Sequence, residues 1–382
     1  MKIVHICLCG PMTDGFNYQE NVITKYHRLL GHKVTIVASQ WIWGSDGKLQ
    51  KIEKTDYFNE DGVKVIRLPI KYGNINSRLK TYPGLYRAIE KEQPDILFVH
   101  DCQFLDICLL ARYAKQHKYI RIYVDNHVDW SNGAHGFLSR NILHKCIWRY
   151  CIKQIEPYVT KFYGVLPARV DFLKEMYGLP TSKCKLLVMG ADDELVERAT
   201  LVSDSTRSKY GIKKDDFLVV TGGKINKYRP ETLDLMSAIV KINNDKIKLL
   251  VFGSIDEILK PQFDMLCKND RIKFVGWQNA ESTYCLMKAA SLVVFPGLHS
   301  VMWEQAVALG VPCVFRDLAG FHHVDLGGNA IFLKDVTRES LKKTIEKLYL
   351  NSEKYEKMKK VADVEGMKYF SYKDISKRSI NE

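Results

Sequence analysis

Several patterns that mark large classes of protein are missing from this sequence. No apolar run approaches the roughly 18 residues that a membrane-spanning helix needs. The ten cysteines contain no Cys-x-x-Cys pair and no zinc spacing with histidine, so reduced, buried thiols in a cytosolic protein are the simplest interpretation. No Asp-x-Asp triplet occurs, which excludes a divalent-metal site built on that pattern, and no internal repeat or low-complexity segment is found.

What the chain contains is typical of a soluble globular protein with two α/β domains. Its 382 residues are long for one hydrophobic core, and 46% hydrophobic with 26% charged residues is an ordinary globular composition. Apolar strand candidates alternate with helical patterns in both halves. Strands that are apolar on both faces belong to parallel sheets covered by helices, so the pattern predicts two doubly wound Rossmann-like domains.

The predicted elements follow that alternation. In the first half the strands are 3–9, 34–39, 63–68, 96–100, 120–125 and 162–166, and the helices are 18–30, 78–92, 105–116 and 138–155. In the second half the strands are 218–221, 248–252, 272–275, 292–295 and 313–315, and a helix covers 231–240.

A glycine-rich segment between a strand and a helix is the first candidate site. The apolar strand that ends at Thr221 is followed by Gly222 and Gly223, then by Lys224 and Arg229, and the next helix begins at Glu231. Backbone N–H groups at a helix N-terminus carry partial positive charge and bind phosphate. Two cations on the same loop suit a diphosphate.

A second strand, glycine turn and helix occur at residues 295–314. Glu304 falls in the first turns of that helix, Gly310 suits the position after its end, and Pro312 prevents its continuation. A carboxylate there can accept two hydrogen bonds from a ribose diol.

These two segments resemble the corresponding motifs of glycosyltransferase family 4, retaining enzymes of the GT-B fold. The family's Gly-Arg-Leu, three residues, Lys-Gly loop is similar to Gly223–Lys224–Ile225 and Arg229–Pro230 at the same spacing, with the two cations exchanged in type. Glu304 matches the second of the family's two glutamates.

The sequence departs from the family at the first glutamate. Pro296 stands eight positions before Glu304, and the shortened loop presents His299, Ser300 and Val301 instead. The family's first glutamate contacts donor-sugar hydroxyls, so the departure concerns the identity of the sugar more than the nucleotide site.

Three further segments extend the resemblance over most of the chain. They are 189–192, similar to the turn between the family's domains, 31–37, similar to its second strand, and Asn126–His127, similar to the histidine turn that faces the reaction centre. The loop 10–15, which ends at Gly15, would line the cleft from the same domain as His127.

The resemblance implies a GT-B fold of two Rossmann-like domains facing a cleft. Residues 1–190 would bind the acceptor, residues 195–368 would bind the nucleotide sugar, and the tail 369–382 would pack back on the first domain. Lys224 and Arg229 would stabilise the leaving diphosphate of a UDP or GDP sugar without a metal or other cofactor. Gly15, Gly223, His299, Ser300, Val301 and Glu304 would complete the donor site, and His127 would stand near the reacting carbon.

Simpler interpretations of the same residues stay open. Lys224 and Arg229 can be a solvated pair beside a turn, and Glu304 can support its own helix. His127, His299 and Ser300 can merely shape turns. The cluster of His322, His323 and Asp325 lacks a third ligand at a usual metal spacing, so these residues are expected on a surface or in a cleft.

The net charge of +13 calls for an anionic partner. The basic residues are dispersed and no nucleic-acid module is recognisable, so nucleic acid is not expected. The predicted helix 138–155 places Arg140, Lys145, Arg149 and Lys153 beside apolar residues that include Trp148, a basic amphipathic pattern suited to the inner face of the plasma membrane. An ordinary surface helix is the alternative.

The resemblance implies transfer of a sugar to a saccharide or lipid-linked acceptor, and by analogy with the family this would serve bacterial surface polysaccharide or glycolipid synthesis. Two alternatives use the same fold. One is a non-hydrolysing sugar-nucleotide epimerase. The other is a non-catalytic binding subunit, which the missing glutamate motivates.

Overall fold

The computed structural model describes residues 1–44, 48–71, 75–227 and 230–381. It divides into two compact units, which are considered separately. Unit 1 comprises Met1–Met189 and Tyr372–Glu382, and unit 2 comprises Gly190–Ser371. Along the chain, unit 1 ends at Met189 and unit 2 begins at Gly190, and the chain re-enters unit 1 at Tyr372, three residues later than the start of the predicted tail.

Unit 1 is built on a mostly parallel sheet. Its strands are β1 (Lys2–Cys7), β2 (Lys33–Ser39), β3 (Trp41–Trp43), β4 (Leu49–Lys51), β5 (Asp56–Phe58), β6 (Lys64–Leu68), β7 (Ile96–Val99), β8 (Arg121–Asn126), β9 (Val159–Gly164) and β10 (Cys184–Leu186). In the described residues the sheet order is β10-β9-β8-β7-β1-β2-β6-β5, where β5 alone runs antiparallel to its neighbour, and β3 and β4 form a separate hairpin.

Helices cover this sheet because its central strands are apolar on both faces. They are α1 (Gln19–Leu29), α2 (Leu85–Glu92), α3 (Ile107–Gln116), α4 (Arg149–Ile155) and α5 (Pro167–Tyr177). The predicted helix 78–92 is wrong in its first half. Gly84 has a φ of +89° immediately before α2, and the preceding Pro83 disfavours helical backbone upstream.

The predicted helix 138–155 is also different in detail. Leu138–Trp148 is a π-helix, and α4 continues from it. Trp148 is only 1% exposed and belongs to the core of unit 1, so its assignment as an interfacial aromatic is wrong.

Unit 2 repeats the architecture with a fully parallel sheet. Its strands are β11 (Phe217–Ile225), β12 (Ile247–Ile255), β13 (Ile272–Phe274), β14 (Leu292–Phe295), β15 (Cys313–Arg316) and β16 (Ala330–Leu333). In the described residues the order is β13-β12-β11-β14-β15-β16. The helices are α6 (Asp193–Leu201), α7 (Ser203–Lys209), α8 (Glu231–Lys241), α9 (Lys260–Leu266), α10 (Ala280–Lys288), α11 (Met302–Ala308), α12 (Arg338–Leu350) and α13 (Ser352–Phe370).

The final helix returns to unit 1. Helix α14 (Tyr372–Ile380) packs on α1, and the carbonyl oxygen of Ile380 accepts a hydrogen bond of 2.9 Å from the Tyr123 hydroxyl. The α/β class and the two Rossmann-like folds predicted from the sequence are confirmed.

Candidate functional site

A small cleft opens in unit 2 at the carboxyl ends of β11 and β14. These strands are neighbours in the sheet, and the carboxyl edge of a parallel sheet is where such folds bind ligands. The lining comes from the end of β11, the start of α8 and the turn after β14: Thr221, Gly222, Gly223, Lys224, Glu231, Thr232, Phe295, Pro296, Gly297, Leu298, Ser300 and Met302.

The glycine pair belongs to the strand and not to a turn, which corrects the prediction. β11 continues to Ile225 because Gly223 pairs with Gly253 of β12, and both have a positive φ, +123° and +120°. A Cβ on Gly253 would lie 1.9 Å from the Gly223 carbonyl oxygen. Two glycines therefore permit the close approach of backbones that carries β11 to the cleft.

One of the two predicted cations lines the cleft. Lys224 is exposed there at the end of β11, beside the N-terminal residues of α8. Arg229 lies outside the described residues. A lysine next to a helix N-terminus attracts an anion, since the helix end carries partial positive charge.

Glu231 is the carboxylate of this cleft, and the sequence analysis did not single it out. Its Oε1 accepts a hydrogen bond of 2.9 Å from Arg316, while its buried Oε2 has no partner among the described residues. Oε2 is directed toward Gly297, 3.5 Å from where a Cβ would stand. An acid at a helix start is usually explained by the helix dipole alone, so this role could not be predicted from the position of Glu231 in the sequence.

Glu304 is placed beneath the cleft and not on its surface. It is fully buried in α11, where His299 donates to Oε1 at 2.9 Å and His323 donates to the same oxygen at 2.8 Å. Burial raises the pKa of Glu304, but the two histidines outweigh that effect and lower it to about 2. A contact between Glu304 and a ribose would require His299 to release it.

The three predicted residues that precede α11 do not all line the cleft. Ser300 lines the cleft, whereas His299 turns inward and Val301 precedes α11 without lining the cleft. His322 contacts Asp317 at 2.7 Å and Asp325 accepts the Gly328 amide, so neither shares a site with His323.

His127 of unit 1 is partly exposed at the carboxyl end of β8, with 26% of its side chain accessible. Its Nε2 is 3.4 Å from Asp125, and its backbone amide donates to Asp101 at 2.7 Å. Burial lowers the pKa of His127, but these two carboxylates outweigh it and raise the pKa to about 9. The ring is therefore an imidazolium at neutral pH. Asp101 follows β7 as His127 follows β8, a signal that the sequence analysis missed.

Hydrogen bonds from two basic side chains hold the loop that ends at Gly15. Buried Arg67 donates to the Met12 carbonyl at 2.6 Å and to Asp14 at 3.1 Å, and Lys80 donates to the Cys9 carbonyl at 2.8 Å. Gly15 itself is exposed with a φ of +74°, a conformation that favours glycine.

Two groups of three among the described residues have geometry compatible with a metal ion. They are His100, Asp125 and His127 in unit 1, and His299, Glu304 and His323 in unit 2, with ligand atoms within 4.8 Å of one another. In the second group the histidines already donate hydrogen bonds to the carboxylate, which satisfies its charge without an ion.

Residues 202–364 match the family model described as glycosyl transferases group 1. This range contains the whole cleft of unit 2. No curated protein matches the chain in sequence.

Solved structures share the fold over nearly the full length. Anabaena Alr3699/HepE, solved with UDP and glucose, is 13% identical, with 99% of this chain and 98% of that chain covered and a TM-score of 0.65. Sucrose-phosphate synthase from Thermosynechococcus elongatus is 13% identical, with 99% and 96% covered and a TM-score of 0.67.

An enzyme of another class is also similar. The UDP-GlcNAc 2-epimerase of Neisseria meningitidis, bound to UDP-GlcNAc, is 14% identical, with 99% and 98% covered and a TM-score of 0.62. Likeness at these identities shows the GT-B fold. Together with the family match it supports a glycosyltransferase.

Proposed function

We propose that this chain is a retaining, metal-independent glycosyltransferase that uses a UDP or GDP sugar and a saccharide or lipid-linked acceptor. The cleft of unit 2 carries the proposal, because it joins a glycine-lined strand end, an exposed lysine and a helix N-terminus inside the matched range. Surface polysaccharide or glycolipid synthesis is the pathway class that we assign by analogy.

The leaving diphosphate gains negative charge as the glycosidic bond to it breaks. We assign the stabilisation of that charge to Lys224, which lines the cleft, and to the first backbone amides of α8, and Arg229 would add a second cation. Fixed cations replace the metal that other transferases hold with an Asp-x-Asp triplet, which this sequence lacks.

Hydroxyl groups of the donor need acceptors, and the cleft supplies them. Glu231, whose buried Oε2 has no partner among the described residues, and Ser300 both line it, so we assign hydroxyl recognition to these side chains. Glu304 then supports the turn from below through His299. This arrangement gives the shortened loop a carboxylate from another element in place of the missing glutamate.

His127 supplies the chemistry of unit 1. A fixed imidazolium stabilises negative charge that develops near it and donates a hydrogen bond to an oxygen of the substrate. In front-face attack the leaving phosphate takes the acceptor proton, so the protein needs no nucleophile.

A membrane-bound acceptor is consistent with one surface of unit 1. Leu138, Ile142 and Tyr150 are exposed apolar side chains of one helical stretch, and exposed Lys145 and Arg149 lie between Ile142 and Tyr150 in the sequence. We propose that this face contacts an anionic membrane. No helix in the described residues is long and apolar enough to span a membrane.

Liposome flotation tests that surface. Vesicles with anionic lipid should retain the wild-type protein and lose Lys145→Glu/Arg149→Glu, because the variant reverses two charges near the exposed apolar side chains. Lys115→Glu/Lys118→Glu changes the net charge by the same amount at exposed positions outside the helical stretch 138–155, and this variant should still float. Equal retention of both variants would remove the membrane proposal.

A thermal-shift titration with UDP, GDP, ADP, dTDP and CMP tests the donor site. A nucleotide at 100 times its dissociation constant adds about 2.7 kcal/mol of stability to the state that binds it. One nucleoside diphosphate should stabilise the wild type and Lys268→Met, an exposed lysine outside the cleft, but not Lys224→Met. Absence of any shift in the wild type would overturn the donor site.

Product analysis then separates the reactions. A transferase releases the nucleoside diphosphate and gives a glycoside with the donor's anomeric configuration. An epimerase leaves the nucleotide attached to the sugar, and that outcome would replace the proposed function.

A further inference from the structure

Two polar side chains that line the cleft of unit 2 carry atoms without hydrogen-bond partners among the described residues. Thr221, which follows the apolar residues of β11, is only 1% exposed, and its hydroxyl oxygen Oγ1 has no partner. Glu231, the first residue of α8, has a buried Oε2 atom in the same condition. A buried polar atom without a partner is unfavourable, and native proteins leave few of them. Two in one cleft indicate a ligand group that pairs with both.

An ion pair fixes the position of the Glu231 carboxylate. Arg316, the last residue of β15, donates to Oε1 at 2.9 Å, so Oε2 is the oxygen that is left for a ligand. Gly297 stands beside Oε2, and even a Cβ at that position would be 3.5 Å away. The glycine therefore leaves the space next to this oxygen free of a side chain.

The two side chains together define the chemistry of the ligand group. The carboxylate of Glu231 only accepts hydrogen bonds, whereas the hydroxyl of Thr221 carries a hydrogen that needs an acceptor. A group that satisfies both must therefore donate one hydrogen bond and accept another. A sugar hydroxyl does both on a single oxygen. A phosphate at neutral pH offers acceptors, and the carboxylate repels it.

The position of Thr221 along β11 separates it from the diphosphate. Lys224 lies three residues further along the same strand, a distance of roughly 10 Å at about 3.3 Å per residue. Lys224 is exposed at the end of the strand, whereas Thr221 is buried. A diphosphate held at Lys224 therefore leaves Thr221 to the sugar that is attached to it.

We propose that Thr221 and Glu231 bind one hydroxyl group of the donor sugar, and that Arg316 is a positioning residue for Glu231. The inference rests on the proposed function, because it names the part of the donor that these side chains recognise. The donor is then a hexose with a free hydroxyl at this position. A deoxy sugar would leave both side chains unpaired, and sites built to bind a hydroxyl discriminate strongly against such analogues.

Thr221→Val is a test in which the free and the bound protein respond differently. In the free protein this change removes an unpaired buried polar atom, so the melting temperature should equal or exceed that of the wild type. Thr206→Val is the matched control in unit 2. The Thr206 hydroxyl is also buried but donates to the Val202 carbonyl at 2.9 Å, so its removal should not raise the melting temperature. A free Thr221→Val protein that melts below Thr206→Val would overturn the proposal, because the hydroxyl would then already have a partner.

Isothermal titration calorimetry measures the bound state. The probes are UDP with UDP-glucose and UDP-galactose, and GDP with GDP-mannose. At least one hexose nucleotide should bind the wild type about tenfold more tightly than its nucleoside diphosphate, the effect of about 1.4 kcal/mol. Thr221→Val should lose this gain in affinity and should bind the nucleoside diphosphate as the wild type does. Thr221→Ser keeps the hydroxyl and should keep the gain, as should Thr206→Val.

Two variants of Arg316 test the positioning role. Arg316→Leu should lose most of the same gain because the Glu231 carboxylate is no longer fixed, and Arg316→Lys should restore it. An undiminished gain in Arg316→Leu would refute this role. The hydroxyl contact itself would be overturned by a gain that survives Thr221→Val, or by the absence of any gain in the wild type. A wild type that binds no nucleoside diphosphate at all would overturn the proposed function, and with it this inference.

Discussion

Removal of Glu304 should destabilise unit 2 whether or not this carboxylate contacts substrate. Glu304→Ala leaves the His299 and His323 donors in a site with no solvent. Each unsatisfied buried donor costs about 1–3 kcal/mol, so the total loss should be about 3–5 kcal/mol. Calorimetry should record a melting temperature about 6–20 °C lower, at about 2–4 °C per kcal/mol for a unit of this size.

Glu304→Gln is the matched comparison, because the amide keeps the size and one acceptor oxygen. It should cost about 3 kcal/mol, the lower end of the range for Glu304→Ala, and should remove an acid-dependent component of stability. The folded pKa of Glu304, about 2, lies below its unfolded value. Its ionised form therefore contributes about 3 kcal/mol above pH 4.5, and this contribution disappears as the pH falls toward 2.

A different outcome would refute this reasoning. If Glu304→Ala melts within about 2 °C of the wild type and loses nucleotide binding, then the carboxylate acts on the ligand and the histidine contacts contribute little.

Three further predictions follow from the same geometry. Glu231→Gln should raise KM for the donor sugar by about tenfold, the effect of about 1.4 kcal/mol, with little change in melting temperature; an unaltered KM would remove the hydroxyl contact. Gly253→Ala should cost about 2–4 kcal/mol, because its Cβ would meet the Gly223 carbonyl, whereas Gly10→Ala meets no atom within 4 Å and should melt as the wild type. Transfer should fall above pH 9 as His127 loses its proton, and His127→Gln should lack that limb.

The alternation of strands and helices could be predicted because it depends on the order of apolar and polar residues within each short segment. A parallel strand buried on both faces is a continuous apolar run, and β14 occupies the predicted residues 292–295. The end of β11 could not be predicted in this way. Gly222 and Gly223 were interpreted as a turn, and only the partner strand, about 30 residues later, shows why glycines continue a strand there.

Some residues that line the cleft could be predicted from the sequence, but the contacts between the side chains of the site could not. The sequence placed Lys224 and Ser300 at the ends of strands, and both line the cleft. It did not indicate that His323, 19 residues beyond Glu304, would bury that carboxylate. Such pairings depend on tertiary packing, and the spacing of residues along the sequence does not indicate them.

The return of α14 to unit 1 has a consequence for how unit 1 folds during synthesis. The acceptor for His27 is the carbonyl of Ser376, which the ribosome reaches only after the whole of unit 2. At 5–20 residues per second, roughly 10–40 s pass between the emergence of Met189 and that of Tyr372. During that time the nascent unit 1 has its sheet but not its final helix. A chaperone that recognises exposed apolar surface should therefore bind nascent chains of this protein, and release them when α14 is complete.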